Sequence, residues 1–240
     1  MVLSIRKLSR MRPEVTTGSG EDLALYSYWR SSAAYRVRIA LNLKGLPYQT
    51  IPVHLVKGGG EHHGEQFRSL NPQGLVPVLV DEGRVITQSL AICEYLDEQF
   101  VQYPLLPADL LARAGVRSLA LQIACDIHPI NNLRVVKYLQ KSYGEIVDAV
   151  VWMKHWMTEG FTALEIQLKH SFESRGQEND SGYYADQPGL FECFLVPQVY
   201  NAERFGTDMS DFPHIKKLVE TCRALPAFSD AAPENQPDAT

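Results

Sequence analysis

Leu75-Val-Pro-Val-Leu-Val80, Asp81-Glu-Gly83, Arg84-Val-Ile-Thr87 and Gln88-Ser-Leu-Ala-Ile-Cys-Glu-Tyr-Leu96 read in turn as a strand, a tight turn, a short strand and a helix. Pro77 stands at the head of the apolar run, where a strand tolerates a missing N–H. A cis Val76-Pro77 bond would be a specific turn feature and would present the N–H and C=O of Val76 to a peptide-like ligand. Gln88-Ser89 falls where the helix begins. A serine hydroxyl and free N–H groups at a helix N-terminus bind carboxylates well. A backbone clamp beside a carboxylate site suits a small acidic peptide.

Upstream, Leu23 to Tyr28 reads as a strand. Arg30-Ser31-Ser32 then places hydroxyls to cap a helix, in which Ala33, Val37, Ala40 and Leu41 recur at helical spacing with Arg36 and Arg38 off that face. Gly45-Leu-Pro47 stops it. Tyr48 to Leu55 is β-rich but carries Pro52, so it reads as an edge strand. A glycine loop and one helical turn over Phe67 to Leu70 lead into the hairpin. The order β-α-β, then β-β-α, is a thioredoxin-like layout, assigned to residues 22–103.

Tyr103-Pro-Leu-Leu-Pro107 reads as a stiff linker. Residues 108–228 then follow helical patterns: Ala112 to Tyr143, interrupted by Pro129; Gly144 to Phe172, with Trp152, Trp156, Phe161, Leu164 and Leu168 as an apolar core stripe; Leu190 to Phe205; and Phe212 to Ala224. Ser174 to Gly182 reads as a polar loop. Residues 1–21 are expected to form a disordered extension, Arg-rich without an apolar signal core. The polar residues 229–240 are expected to form a flexible tail. The fold class is thus α/β followed by all-α.

The 240 residues carry a net charge of −5 with 45% hydrophobic residues, a globular composition without the basic stripe of a nucleic-acid binder. No apolar run approaches the roughly 20 residues of a membrane helix. Cys93, Cys125, Cys193 and Cys222 form no C-x-x-C pair and read as small buried hydrophobes in a reducing compartment, which points to the cytoplasm. His54, His62 and His63 lack the partners and spacing of a metal site.

In a thioredoxin-like layout, the turn after the first strand aims a helix N-terminus at a thiolate and lowers its pKa. Here that turn is Arg30-Ser31-Ser32-Ala33-Ala34, without cysteine. The thiol must arrive on the ligand, and glutathione, an acidic peptide with a thiol, fits. Ser31 is placed to donate to that sulfur. The competing reading is that Ser31 and Ser32 only cap the helix.

Tyr26-Ser-Tyr-Trp-Arg-Ser-Ser32, Arg36-Val-Arg-Ile-Ala-Leu41, Asn71-Pro-Gln-Gly-Leu-Val-Pro77, Gln88-Ser-Leu-Ala-Ile92, Asp126-Ile-His-Pro-Ile-Asn-Asn-Leu-Arg134 and Leu195-Val-Pro-Gln-Val-Tyr-Asn-Ala-Glu-Arg-Phe205 together resemble the zeta-class glutathione transferases, the maleylacetoacetate isomerases. The resemblance runs from about Leu23 to the C-terminal tail. It implies a helical glutathione-transferase C-terminal domain, a homodimer and a role in tyrosine or phenylalanine breakdown. It further implies cis–trans isomerisation of a dicarboxylic diketo acid by thiolate addition, bond rotation and elimination, with glutathione as cofactor. Catalysis would fall to Ser31 and Arg30. Glutathione would be held by Ser31, Ser32, His62, Val76, Pro77, Gln88, Ser89 and Asn132. Substrate would be held by Arg30, His128, Arg134 and Arg204, since enolate charge and carboxylates both call for cations. For the arginines the competing reading is surface ion pairing. For His128-Pro129 and Asn131-Asn132 it is a proline kink whose freed carbonyls are satisfied by polar side chains.

Two departures from the family pattern bear on function and stability. Ala33 stands where the family carries cysteine. Gly189-Leu-Phe-Glu192 replaces a Thr-x-x-Asp capping box, so Gly189→Thr is expected to stabilise the fold. Maleylpyruvate isomerase is the near alternative, and a general glutathione transferase or peroxidase and a non-catalytic glutathione-binding module are the others.

Overall fold

The computed structural model describes residues 23–174 and 182–239. The expected extension and most of the expected polar loop lie outside them. The first unit contains β1 (Ala24–Ser27), α1 (Ser32–Leu43), β2 (Gln49–Pro52), α2 (Glu65–Leu70), β3 (Val78–Asp81), β4 (Arg84–Thr87) and α3 (Ser89–Gln99). The sheet order is β2-β1-β3-β4, with β1 parallel to β2 and antiparallel to β3. β2, with Pro52 at its end, is an edge strand. The hairpin closes through Glu82 and Gly83, both at positive φ, between paired Asp81 and Arg84. This is the two-residue turn whose twist matches its strands.

The helical unit contains α4 (Leu110–Leu121), α5 (Leu133–Tyr143), α6 (Ala149–Ser174), α7 (Leu190–Arg204), α8 (Pro213–Arg223) and the short α9 (Pro226–Ser229). A π-helical segment, Gln122–Ile127, joins α4 to the break at Pro129. α7 is buried along most of its length and packs against α1, α4 and α8, so one hydrophobic core runs through both units. Met153, Met157, Phe161, Leu164 and Leu168 form the buried stripe of α6, while Trp152 and Trp156 sit at its half-buried margin. Gly160 lets α6 approach the π segment: a Cβ there would lie 2.4 Å from the Ile127 side chain.

Four expectations are corrected. Residues 229–239 are not loose. Ala231, Ala232 and Gln236 are buried, and Gln236 Nε2 donates to the carbonyls of Asp230 and Ala232, both at 2.9 Å. Arg36 and Arg38, read as lying off the apolar face of α1, are buried as well, at 2% and 0% exposure, because α9 and α7 pack on α1. Cys125 is exposed, unlike the other three cysteines, because the π segment turns it outward.

The fourth correction concerns Gly189. A Cβ there would sit 2.5 Å from the Leu105 carbonyl oxygen, which accepts the Leu190 N–H at 2.8 Å. The close approach of linker and α7 therefore needs glycine. The other half of the cap is intact, since Glu192 accepts the N–H groups of Gly189 and Tyr184, each at 2.8 Å. Gly189→Thr is now expected to destabilise by about 1–3 kcal/mol, the usual cost of overpacking. A lowered urea midpoint is the expected reading, and a raised one contradicts it.

Candidate functional site

The site is built from the turn after β1, the loop before β3 and the start of α3, with residues from the start of α5 and the end of α7. Ser31 is the N-cap of α1, and its Oγ accepts the Ala34 N–H at 3.2 Å. Capping uses only a lone pair of the hydroxyl, so its hydrogen stays available to a ligand. The two readings of Ser31 are therefore compatible. Ser32 is buried in the first turn of the same helix.

The Val76-Pro77 bond is cis. No hydrogen bond among the described residues takes up the N–H or C=O of Val76. Asn71 shapes this loop by donating to the Leu75 carbonyl at 2.7 Å. Gln88 caps α3 with φ +72°, one of three non-glycine residues at positive φ among those described. Such strain persists where the surroundings enforce it, often at functional sites. Its amide donates to Gln73 Oε1 at 2.8 Å, which ties α3 to the loop before Pro77. No side chain among the described residues caps the N-terminus of α3.

Beneath Ser89 lies a residue the sequence reading missed. Arg36 Nη1 donates to Ser89 Oγ at 3.1 Å, so the Ser89 hydrogen must point elsewhere. The Arg36 guanidinium rests over the Phe194 ring at 4.4 Å, and its Nε and Nη2 are buried without partners. Burial pushes its pKa down to about 10, which leaves it a cation at neutral pH. The sequence holds only a local hint of this. On α1 its neighbours three and four positions away are Ser32, Ala33, Ile39 and Ala40, a surround without a single charged residue.

His128 follows the π segment and donates its N–H to the Ile123 carbonyl at 2.9 Å. The carbonyls freed by the break go to other groups: Asn131 Nδ2 takes Ile127 O at 3.0 Å and Trp152 Nε1 takes Ile130 O at 3.2 Å. The imidazole is thus not spent on the kink. Burial first, then the Arg36 and Arg134 charges, push its pKa down to about 3. Asn132 caps α5 by accepting the Arg134 N–H at 3.1 Å. Its Nδ2 makes no hydrogen bond among the described residues.

Since the folded state resists protonation of His128 while the unfolded chain protonates near its ordinary 6.5, this residue contributes stability above that pH and loses it as pH falls below. His128→Gln is therefore expected to shrink the fall in Tm between about pH 7 and about pH 5. An unchanged fall would contradict the assignment.

Arg30 stacks on Trp29 at 4.4 Å and donates to the Tyr28 hydroxyl at 3.2 Å. Burial first, and the Arg30 charge second, hold the Arg204 guanidinium below its ordinary pKa. The two are like-charged neighbours, and no acid among the described residues forms an ion pair with either. Arg134 is exposed at the start of α5, beside His128. No ion pair or hydrogen bond among the described residues joins Arg134 or His128 to Arg30 or Arg204. His62 is buried in a short turn, its ring 3.8 Å from that of His63 and its Nδ1 unpartnered. Burial, then His63, Lys137 and Arg68, lower its pKa. No group of three or more His, Cys, Asp or Glu among the described residues is arranged to hold a metal.

A thioredoxin-like sheet joined to an all-helical unit, with a cis-proline loop before β3 and a serine-capped helix after β1, is the architecture of a glutathione transferase. Residues 30–99 match the family model of the glutathione S-transferase N-terminal domain. A probable maleylacetoacetate isomerase of Vibrio cholerae is 50% identical over 222 residues, 91% of this chain and 99% of that protein. The holo structure of a bacterial zeta-class maleylpyruvate isomerase superposes with a TM-score of 0.82 at 44% identity, over 90% of this chain and 100% of that one. A maleylacetoacetate isomerase of Methylobacterium extorquens AM1, with bound malonate and glutathione, gives a TM-score of 0.82 at 36% identity, over 90% and 99% of the two chains. The chain belongs to the zeta-class glutathione S-transferases, the family of the maleylacetoacetate isomerases.

Proposed function

We propose that the protein is a glutathione-dependent cis–trans isomerase of maleylacetoacetate, forming fumarylacetoacetate. The observation that carries this reading is that Arg30, adjacent in sequence to the Ser31 cap, is a like-charged neighbour of Arg204, with no acid among the described residues paired to either. A site for apolar electrophiles has no need of two neighbouring cations. A dicarboxylic diketo acid does, because planar guanidinium forks bind carboxylates bidentately.

The residues present fit glutathione. The free N–H and C=O of Val76 match a peptide backbone. The uncapped N-terminus of α3, with Ser89 made a donor by Arg36, matches a carboxylate. His62 and Asn132 offer further polar contacts. When bound, glutathione supplies the thiolate that adds to the cis double bond and leaves after rotation. Ser31 donates its hydrogen to the sulfur and keeps it ionised. Arg30 and Arg204 hold the substrate carboxylates and offset the enolate charge that addition creates. His128, neutral throughout the working range, orients substrate by hydrogen bonding and is not a general acid. Arg134 adds positive potential at the mouth. With Ala33 at this position, the Ser31 cap and the Arg30 contact to Tyr28 are both formed.

The protein acts as a homodimer in this reading. Leu110 and Leu111 are 79% and 82% exposed on α4, and Val151 is exposed on α6, apolar surface of the kind a second copy covers. Light scattering giving the mass of one chain would contradict that. Three buried cysteines free of disulfides support the cytoplasm as its location.

Absorbance assays with maleylacetoacetate and with maleylpyruvate, each with and without glutathione, test the assignment. Glutathione-dependent turnover with the larger kcat/KM on maleylacetoacetate is expected. A larger value on maleylpyruvate reassigns the substrate, and no turnover of either refutes the isomerase.

A further inference from the structure

We propose that the C-terminal segment is part of the thiolate site, with Asp238 as the residue that positions the Trp29-Arg30-Ser31 turn. Trp29, immediately before Arg30, is held at both ends of its backbone. Its N–H donates to Asp238 Oδ2 at 3.0 Å and its carbonyl accepts from Arg38 Nη2 at 3.1 Å. The Arg38 guanidinium is fully buried. Its other donors reach Ser27 Oγ at 3.1 Å, at the end of β1, and the Ala231 carbonyl at 2.9 Å, in the tail. One buried cation thus joins the strand, the turn and the C-terminal segment.

The segment that supplies Asp238 is itself anchored to α1. Tyr35 donates its hydroxyl to the Phe228 carbonyl at 3.2 Å, and Asn42 Nδ2 donates to the Ala227 carbonyl at 3.1 Å. Ala231 and Gln236 are buried between these anchors and Asp238. The second oxygen of Asp238 is buried without a partner, so its acceptor strength is concentrated on the Trp29 N–H, and its charge favours the ionised Arg38. Removing the carboxylate would leave the part-buried Trp29 N–H without this acceptor, one residue before Arg30. A displacement of about 1 Å in a positioning element can cost about 100-fold in rate.

This proposal rests on the assignment of Ser31 to the glutathione sulfur, and the test separates the two. The full-length chain is compared with Asp238→Ala and Asp238→Asn, the second of which keeps an oxygen for the Trp29 N–H. Asp238→Ala is expected to lower kcat about tenfold and to raise the apparent thiol pKa of bound glutathione, read from thiolate ultraviolet absorbance against pH. Its affinity for S-methylglutathione, which has no thiol to ionise, stays unchanged. Asp238→Asn is expected to recover both kcat and thiol pKa. A merely structural tail would lower Tm without moving the thiol pKa, and that result overturns the proposal. So does an equal loss in both variants. Absence of a thiolate signal in the unaltered protein would overturn the Ser31 assignment itself.

Discussion

Ser31→Ala is expected to lower kcat/KM about 10²- to 10³-fold, the usual cost of removing one preorganised donor aimed at developing charge. The hydroxyl has two functions, because its oxygen caps α1 through the Ala34 N–H while its hydrogen is free to stabilise the thiolate. The alanine variant loses both, and cap removal alone costs about 1 kcal/mol of stability. Ser31→Gly separates them. Glycine as an N-cap costs only a few tenths of a kcal/mol, so that variant should melt close to the parent yet be as inactive as Ser31→Ala. Steady-state kinetics beside thermal melting provides the check. An active Ser31→Gly variant would reduce Ser31 to a cap.

Arg204→Gln is expected to raise KM for the diketo acid about 10- to 100-fold, the value of a charge-assisted hydrogen bond, with the glutathione Kd unchanged. Arg204 is a like-charge neighbour of Arg30 and has no acid partner among the described residues. Its loss should therefore not destabilise the fold and should relieve repulsion. This combination distinguishes a substrate-binding arginine from one in a surface ion pair, whose removal leaves KM alone. Titration of glutathione by calorimetry and substrate saturation curves measure the two constants. A raised glutathione Kd with unchanged KM would move Arg204 to the cofactor side of the cleft.

The hairpin was legible because its information is local. An apolar strand, Glu82-Gly83 at positive φ and a serine opening a helix are each set within a few residues. The serine cap of α1 was legible for the same reason. Arg36 and Arg38 were misplaced because periodicity reports which face is apolar, whereas their burial depends on Phe194 in α7 and Ala231 near the C-terminus. The tail was misread because Pro, Asn, Gln and Asp give it the composition of a disordered segment. Its order comes instead from specific bonds to Trp29 and Arg38. Gly189 was misjudged on capping chemistry alone, since only the folded chain reveals the Leu105 carbonyl facing it. The arginine pair at 30 and 204 follows from the ends of two elements meeting across the core, which no spacing in the chain encodes.

The most direct test of the central claim supplies maleylacetoacetate in large excess over glutathione and follows both to completion. An isomerase of this design converts all of the substrate to the trans product and returns the glutathione undiminished, because addition and elimination balance. Conversion that stops once the glutathione is consumed one for one would contradict the account and make the protein a conjugating transferase.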